Sequence, residues 1–281
     1  MSRKSRNAIK PTDTFYHYCS AATLHAVLDN RTLRLTSIAS MNDAMEMKWG
    51  MTLLRNRKDF QELVALAFPS LTMEQFMGHM EAFTLVLATC FSTESDALSQ
   101  WRAYADNGAG YCIGFRASAL QKLQGRLLKV QYTQSDQGSL VDAKISRFLE
   151  LAKDASDGEK NRLAFELVNF MIEVAALKNP AFAEEKEVRL INFISTEERN
   201  GALMPIYPGS MSDSLQLKFV MRGSVPTPYI DLDFSELKGA IKEIWVGPTA
   251  VVEDRAIRLM LGAMGYDGVS IHRSTASYRK L

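Results

Sequence analysis

Residues 83–91 form a nearly unbroken apolar run from Phe83 to Phe91. It is far too short to span a bilayer, which takes roughly 20 residues, and its length suits a strand. A strand apolar on both faces belongs in the middle of a sheet covered on both sides. Whatever else the chain contains must supply that sheet's other strands and its covering layers.

The remaining pattern supplies both. An aromatic strand is expected at 15–18. Ser20 then stands at an N-cap position before the apolar-periodic helix 21–28. Asp29-Asn30 turns the chain into an alternating strand at 32–36. Helices are expected at 45–68 and 72–82, broken by Pro69-Ser70. Ser95 can cap a helix over 97–105. Asn107-Gly108-Ala109-Gly110 reads as a turn into a strand at 111–115. Further strands are expected at 127–132, 186–194, 215–221, 229–232, 241–246 and 268–272. A long helical block lies at 140–178, interrupted near Asp157-Gly158, and a last helix at 253–264. No internal repeat or low-complexity linker divides the chain. The reading is one α+β domain over 13–281, with a helical insertion at about 139–178 and a flexible basic tail at 1–12.

Charge and cysteine content narrow the function classes. The 281 residues carry 33 Lys plus Arg against 32 Asp plus Glu, a net charge of +1. That balance disfavours an extended duplex-binding face, though a cleft can be locally basic inside a neutral protein. Cys19, Cys90 and Cys112 are widely spaced and include no C-x-x-C, so neither a disulfide framework nor a cysteine zinc site is expected. The basic N-terminus lacks the apolar segment of a signal peptide. A soluble protein in a reducing cytoplasm, with no membrane partner, is the expectation. His17, His25, His79 and His272 lack zinc-site spacing, and no metal is expected. G-x-x-x-x-G-K-[ST], H-E-x-x-H and G-x-S-x-G are absent. Gly108-Ala109-Gly110 precedes a strand, so it is not the dinucleotide fingerprint. Glu185 and Glu187 alone are too few carboxylates for a two-metal nuclease.

Four clusters hold more polar and aromatic chemistry than a core requires. In Tyr16-His17-Tyr18, strand alternation sets His17 on the face of Phe15 and Cys19. A half-buried histidine with a backbone partner explains it, and so does a ligand for a ribose hydroxyl. Asn42-Asp43-Ala44-Met45-Glu46 is accounted for by helix capping alone. Trp101 and Tyr104 share a helical face next to the glycine turn, either as a core anchor or as a surface for a planar ring. Glu185, Glu187 and Arg189 alternate onto one strand face. That face is either solvated or the floor of a cleft, where Glu187 stabilises a developing cation and Arg189 fixes its position or binds a phosphate.

Taken in order, several stretches resemble a bacterial family known as domain of unknown function 2971. They are Tyr16-His17-Tyr18-Cys19-Ser20, Thr32-Leu33-Arg34-Leu35, Asn42-Asp43-Ala44-Met45-Glu46, Cys90-Phe91-Ser92, and Leu98-Ser99-Gln100-Trp101-Arg102-Ala103-Tyr104-Ala105. Gly110-Tyr111-Cys112-Ile113-Gly114-Phe115, Glu185-Lys186-Glu187-Val188-Arg189-Leu190 and the tail from Ser274 to Tyr278-Arg279 complete the set.

The opening unit is also similar to that of the ADP-ribosyltransferase superfamily. This second resemblance implies a split, mostly antiparallel sheet around NAD as substrate. It implies that His17 holds the NAD ribose, that Trp101 or Tyr104 stacks on nicotinamide, and that Glu187 stabilises an oxocarbenium-like transition state. Glu185-Lys186-Glu187 is similar to the E-x-E pair of arginine-modifying members. Glu187, His17 and Tyr104 are then the catalytic candidates, with Tyr18, Ser20, Arg34, Trp101, Glu185, Arg189 and Arg279 around the nucleotide. The acceptor, protein or nucleic acid or water, stays open, and so does a toxin or phage-defence role. A nucleotide- or phosphate-sensing module without turnover is the alternative. The catalytic reading requires Arg34, His17, Tyr104, Glu187 and Arg189 to converge on one cleft.

Overall fold

A computed structural model describes residues 8–41, 46–153, 156–206 and 215–278. The chain opens with β1 (Thr14–Cys19), α1 (Ala21–Asn30) and β2 (Thr32–Ser37). Ser20 caps α1 as expected, its hydroxyl accepting the Thr23 N–H at 3.1 Å. Leu24, Val27 and Leu28 form the buried stripe of that helix. Then come α2 (Glu46–Arg55), α3 (Lys58–Ala67), α4 (Met73–Phe83) and β3 (Thr84–Ser92). The single helix expected over 45–68 is therefore two helices. Arg57 between them is extended, and its guanidinium ties Asp59 to Asp142, anchoring the break.

The middle of the chain holds α5 (Leu98–Tyr104), β4 (Tyr111–Arg116), α6 (Ala117–Leu120), β5 (Arg126–Lys129), α7 (Gln134–Ala152) and α8 (Asp157–Glu173). Ser95 does not cap α5. Ala97 stands at the N-cap, and its N–H donates to the Tyr18 hydroxyl at 2.9 Å. A tertiary partner thus satisfies the helix end that the local sequence leaves open. The chain closes with β6 (Glu187–Arg199), β7 (Ala202–Ile206), β8 (Lys218–Arg222), β9 (Val225–Asp233), β10 (Ile241–Val246), α9 (Asp254–Ala263) and β11 (Ser270–Arg273). β7 is absent from the sequence reading. It pairs with the polar end of β6 through a turn at Asn200-Gly201, and both strands are largely exposed there. With no buried face, that hairpin has no hydrophobic alternation to reveal it.

The strands form one α+β sheet, antiparallel except for the β10–β11 pair. β3 is central, as its apolar sequence requires. One of its edges is occupied along its whole length by β6. The other edge is shared: β1 joins only at Tyr16 opposite Ser92, and β2 only at Thr36 and Ser37 opposite Ala88 and Leu87. Between those contacts β1 and β2 diverge, and the sheet splits. β4, β10 and β11 continue from β1, while β9 and β8 continue from β2.

The main core covers one side of this sheet with α1 and α9, from Phe15, Leu28 and Leu35 to Ile244 and Leu261. A second core is built mainly by helices. It joins Leu54, Phe60 and Phe76 of α2–α4 to Val141 of α7 and Phe170 of α8. The expected insertion therefore packs as a layer together with the helices before β3. Ile38, Val86, Ile172 and Ile191 bond that layer to the sheet. No described helix is long and apolar enough to cross a membrane.

Candidate functional site

The split holds a cleft of about 1040 Å³. Its floor is β3 from Ala88 to Ser92, and its walls are β1 with α1 on one side and β2 on the other. Tyr104 from α5 and the segment Lys178–Glu187 close one end. Arg34, Lys218, Arg222 and Asp231 line the other.

His17 ties β1 to the cleft floor. Its Nδ1 lies 3.0 Å from the carbonyl of Cys90, and its ring packs edge-on against Phe91 with centroids 5.8 Å apart. Burial pushes the imidazole pKa below its ordinary value, so the ring is neutral at pH 7. With Nδ1 protonated toward the carbonyl, Nε2 is an acceptor.

Glu187 begins β6 beside this floor, with its side chain 6% exposed. Its carboxylate receives both Nε and a terminal nitrogen of Arg189 at 2.8 Å, and Lys178 Nζ at 3.3 Å. Its backbone N–H donates to the Tyr132 hydroxyl at 3.0 Å. Burial opposes its charge, yet the attraction and hydrogen bonds of Arg189, with help from Lys178, hold its carboxyl below the usual glutamate range. Glu187 is therefore a carboxylate at pH 7. Lys178 also donates to Glu185 at 2.6 Å, and Tyr104 donates its hydroxyl to the other oxygen of Glu185 at 3.3 Å. Burial, followed by the Glu185 charge, raises the Tyr104 pKa and keeps the phenol protonated. A row of alternating charge thus runs Glu185, Lys178, Glu187, Arg189.

At the opposite end Arg34 Nε donates to Asp231 at 3.1 Å, and its guanidinium stands 3.7 Å from the Tyr229 ring centroid. Lys218 reaches the same carboxylate at 3.2 Å. This end carries positive charge, with half of the Arg34 and Lys218 side chains exposed.

Of the residues selected from sequence, His17, Tyr18, Ser20, Arg34, Tyr104, Glu185 and Glu187 line the cleft. Two do not. Trp101 is fully buried, packed edge-on against Tyr18 at 4.8 Å with its indole N–H donated to Asp96 at 2.7 Å. It anchors α5 in the core, so of the two α5 aromatics Tyr104 is the one at the cleft. Arg189 is 1% exposed and turned away behind Glu187, where it also donates to the Ala175 carbonyl at 2.7 Å. It serves Glu187 and does not face the cavity. Arg279 lies outside the described residues, as do Asn42, Asp43, Ala44 and Met45 of the capping cluster. Glu185 precedes β6: it ends a 3-10 segment, and Lys186 turns the chain in a left-handed conformation. Its place beside Glu187 comes from that turn and not from strand alternation.

Sequence reading missed Lys178, Gln100, Phe182 and the Lys218–Arg222 edge, all on the cleft wall. For Lys178 a signal existed. It follows the buried run 170–177 directly and precedes Asn179-Pro180, a poor place for a solvated lysine.

A family model described as protein of unknown function (DUF2971) matches residues 100–190. The match includes Gln100, Tyr104, Lys178, Glu185, Glu187 and Arg189, the end of the cleft that holds the charged row. No curated protein and no solved structure shows significant similarity to the chain.

Proposed function

We propose that the cleft binds NAD as substrate and breaks its N-glycosidic bond to nicotinamide, in the manner of ADP-ribosyltransferases. The observation that carries this reading is convergence. His17, Arg34, Tyr104 and Glu187 come from four separate elements and line one cleft, whereas Arg189, the fifth residue expected there, stands behind Glu187 and reaches the cleft only through it. Each has a chemical part. The charged Glu187 carboxylate stabilises the oxocarbenium character that grows at the ribose as the bond breaks and its electron pair leaves with nicotinamide. The neutral His17 offers Nε2 to a ribose hydroxyl. Tyr104 presents an aromatic face to a planar ring. Arg34, with Lys218 and Arg222, matches the charge of the pyrophosphate. Attack at the freed ribose carbon by water, or by a protein or nucleic-acid acceptor, completes the reaction. Such an NAD-consuming activity would suit a toxin or a phage-defence effector.

A second reading, NAD or nucleotide sensing without turnover, draws on one feature. Both oxygens of Glu187 are already engaged by cations, as in a carboxylate that builds a binding wall. Incubating the protein with NAD and measuring released nicotinamide separates the two. Turnover that falls by about 10²-fold or more in Glu187→Gln, with NAD binding retained, is expected for the catalytic role. Binding without release in the wild type selects the sensor. Neither binding nor release overturns both.

A further inference from the structure

Lys178 stands at the junction between the helical layer and the charged end of the cleft, and its position is fixed from the backbone outward. Its N–H donates to the Gln131 carbonyl at 3.1 Å. Its own carbonyl accepts the side-chain amide of Gln137 at 2.7 Å, and that glutamine is 1% exposed. The side chain is 5% exposed, and its ammonium lies 4.8 Å from the Phe182 ring centroid. From there it reaches Glu185 at 2.6 Å and Glu187 at 3.3 Å. A buried lysine is costly unless paired, and here it is paired with two carboxylates of the cleft wall.

Every charged or titratable group around Glu187 bears on what this ammonium does. Arg189 contacts Glu187 from the same strand, Cys90 bonds to it from β3, and Tyr132 meets its backbone N–H. Glu185, with Tyr104 bonded to it, supplies a second negative charge beyond Lys178. Without the ammonium, two carboxylates would share a partly desolvated wall with Arg189 as the neighbouring cation, and like charges at close range do not both stay ionised.

We propose that Lys178 is a positioning residue for the reaction at Glu187: its shared ammonium fixes the two carboxylates relative to each other and keeps Glu187 charged toward the cleft. This rests on the NAD-cleaving reading above. Glu187 works as the carboxylate, so activity is present above its pKa and lost as pH falls through it. Removing the Lys178 charge raises that pKa and moves the acid limb of the pH profile upward. Removing the Glu185 charge lowers it and moves the limb the other way.

The test is nicotinamide release from NAD against pH for the wild type, Lys178→Met, Lys178→Arg and Glu185→Gln. Lys178→Met is expected to shift the acid limb up by about one pH unit, a loss of about tenfold at acidic pH that recovers as pH rises. Lys178→Arg keeps the wild-type limb, and Glu185→Gln shifts it down. A Lys178→Met profile lowered by one factor at every pH would reduce the lysine to a structural role and overturn the proposal. Should Lys178→Met fail to fold, the other two variants decide: an unmoved limb in Lys178→Arg with a downward shift in Glu185→Gln supports the proposal, and an unmoved limb in Glu185→Gln overturns it. A second readout does not depend on turnover: the ¹³C resonance of the Glu187 carboxyl, assigned with Glu187→Gln, titrated in the wild type and the variants. If the wild type releases no nicotinamide, the reaction assigned to the cleft fails. The titration then still decides whether Lys178 holds Glu187 charged, and an unmoved resonance in Lys178→Met refutes that.

Discussion

Asp96 lies between the cleft helix and the C-terminal tail, and replacing it with alanine would release both. One of its oxygens accepts the Trp101 indole N–H at 2.7 Å and the Ser274 hydroxyl. The other accepts the Thr275 N–H at 2.8 Å and the Thr275 hydroxyl at 3.0 Å. Trp101 is fully buried, so Asp96→Ala orphans an indole N–H in the core at a cost of about 2 kcal/mol. The tail bonds are partly exposed and contribute less, so the total is about 3 kcal/mol. Burial works against the Asp96 charge, but the bonds from Ser274, Thr275 and Trp101 outweigh it and hold its carboxyl below the usual aspartate range. Its contribution is therefore complete above the unfolded-state pKa of about 3.9 and is lost as pH falls through the lower folded value. Urea denaturation followed by tryptophan fluorescence, at pH 7 and again below pH 4, measures the difference between wild type and variant. It should be full at pH 7 and shrink in acid. A difference below about 1 kcal/mol at pH 7, or one that grows in acid, would refute this role of Asp96.

One modification and a pair of glycine substitutions give further tests. Cys90 lines the cleft and is partly exposed, whereas Cys19, which also borders the cleft, and Cys112 are buried with thiol pKa values pushed up, to about 12 for Cys19. A maleimide should therefore label Cys90 at least about tenfold faster than either, and bound NAD should slow it; mass spectrometry showing Cys112 or Cys19 labelled first would contradict the geometry. A Cβ at Gly110 would sit 2.3 Å from the Cys19 carbonyl oxygen and 2.9 Å from the Ala105 carbonyl carbon, both backbone atoms. Gly110→Ala should thus destabilise by about 2 kcal/mol, whereas Gly138→Ala, in α7 with open space around it, should stabilise by up to about 1 kcal/mol. Equal thermal shifts for the two would show that the close approach is not tight.

The parts of the fold legible in the sequence are those where local pattern and burial agree. β3 reads as central because both faces are apolar, and α1 because Ser20 and its buried stripe mark its start and side. The pairing of Glu187 with Arg189 follows from strand alternation. What failed depended on which layer covers which face. Helical spacing sets Trp101 and Tyr104 on neighbouring positions of α5, but that helix sits at the rim, so one residue enters the core and the other reaches the cleft. Only the position of β1 beneath α5 distinguishes them. The sequence marks Lys178 as an unusual lysine at the end of a buried run, but not its partners: Glu185 and Glu187 meet it through the chain reversal at Asn179–Lys186, which periodicity does not encode.

The sharing of one β3 edge by β1 and β2 bears on how a ligand would be received. β3 belongs to both half-sheets and is zipped to β6 from Thr84 to Ser92. Spreading the two walls apart would mean bending a strand held along its full length, and His17 also ties the β1 wall to the floor. The opening is thus made by divergence of strand direction rather than by a hinged element. A receptacle of this kind is preformed: little ordering cost falls on the protein when it is filled, and selectivity rests on whether a molecule fits the gap already there.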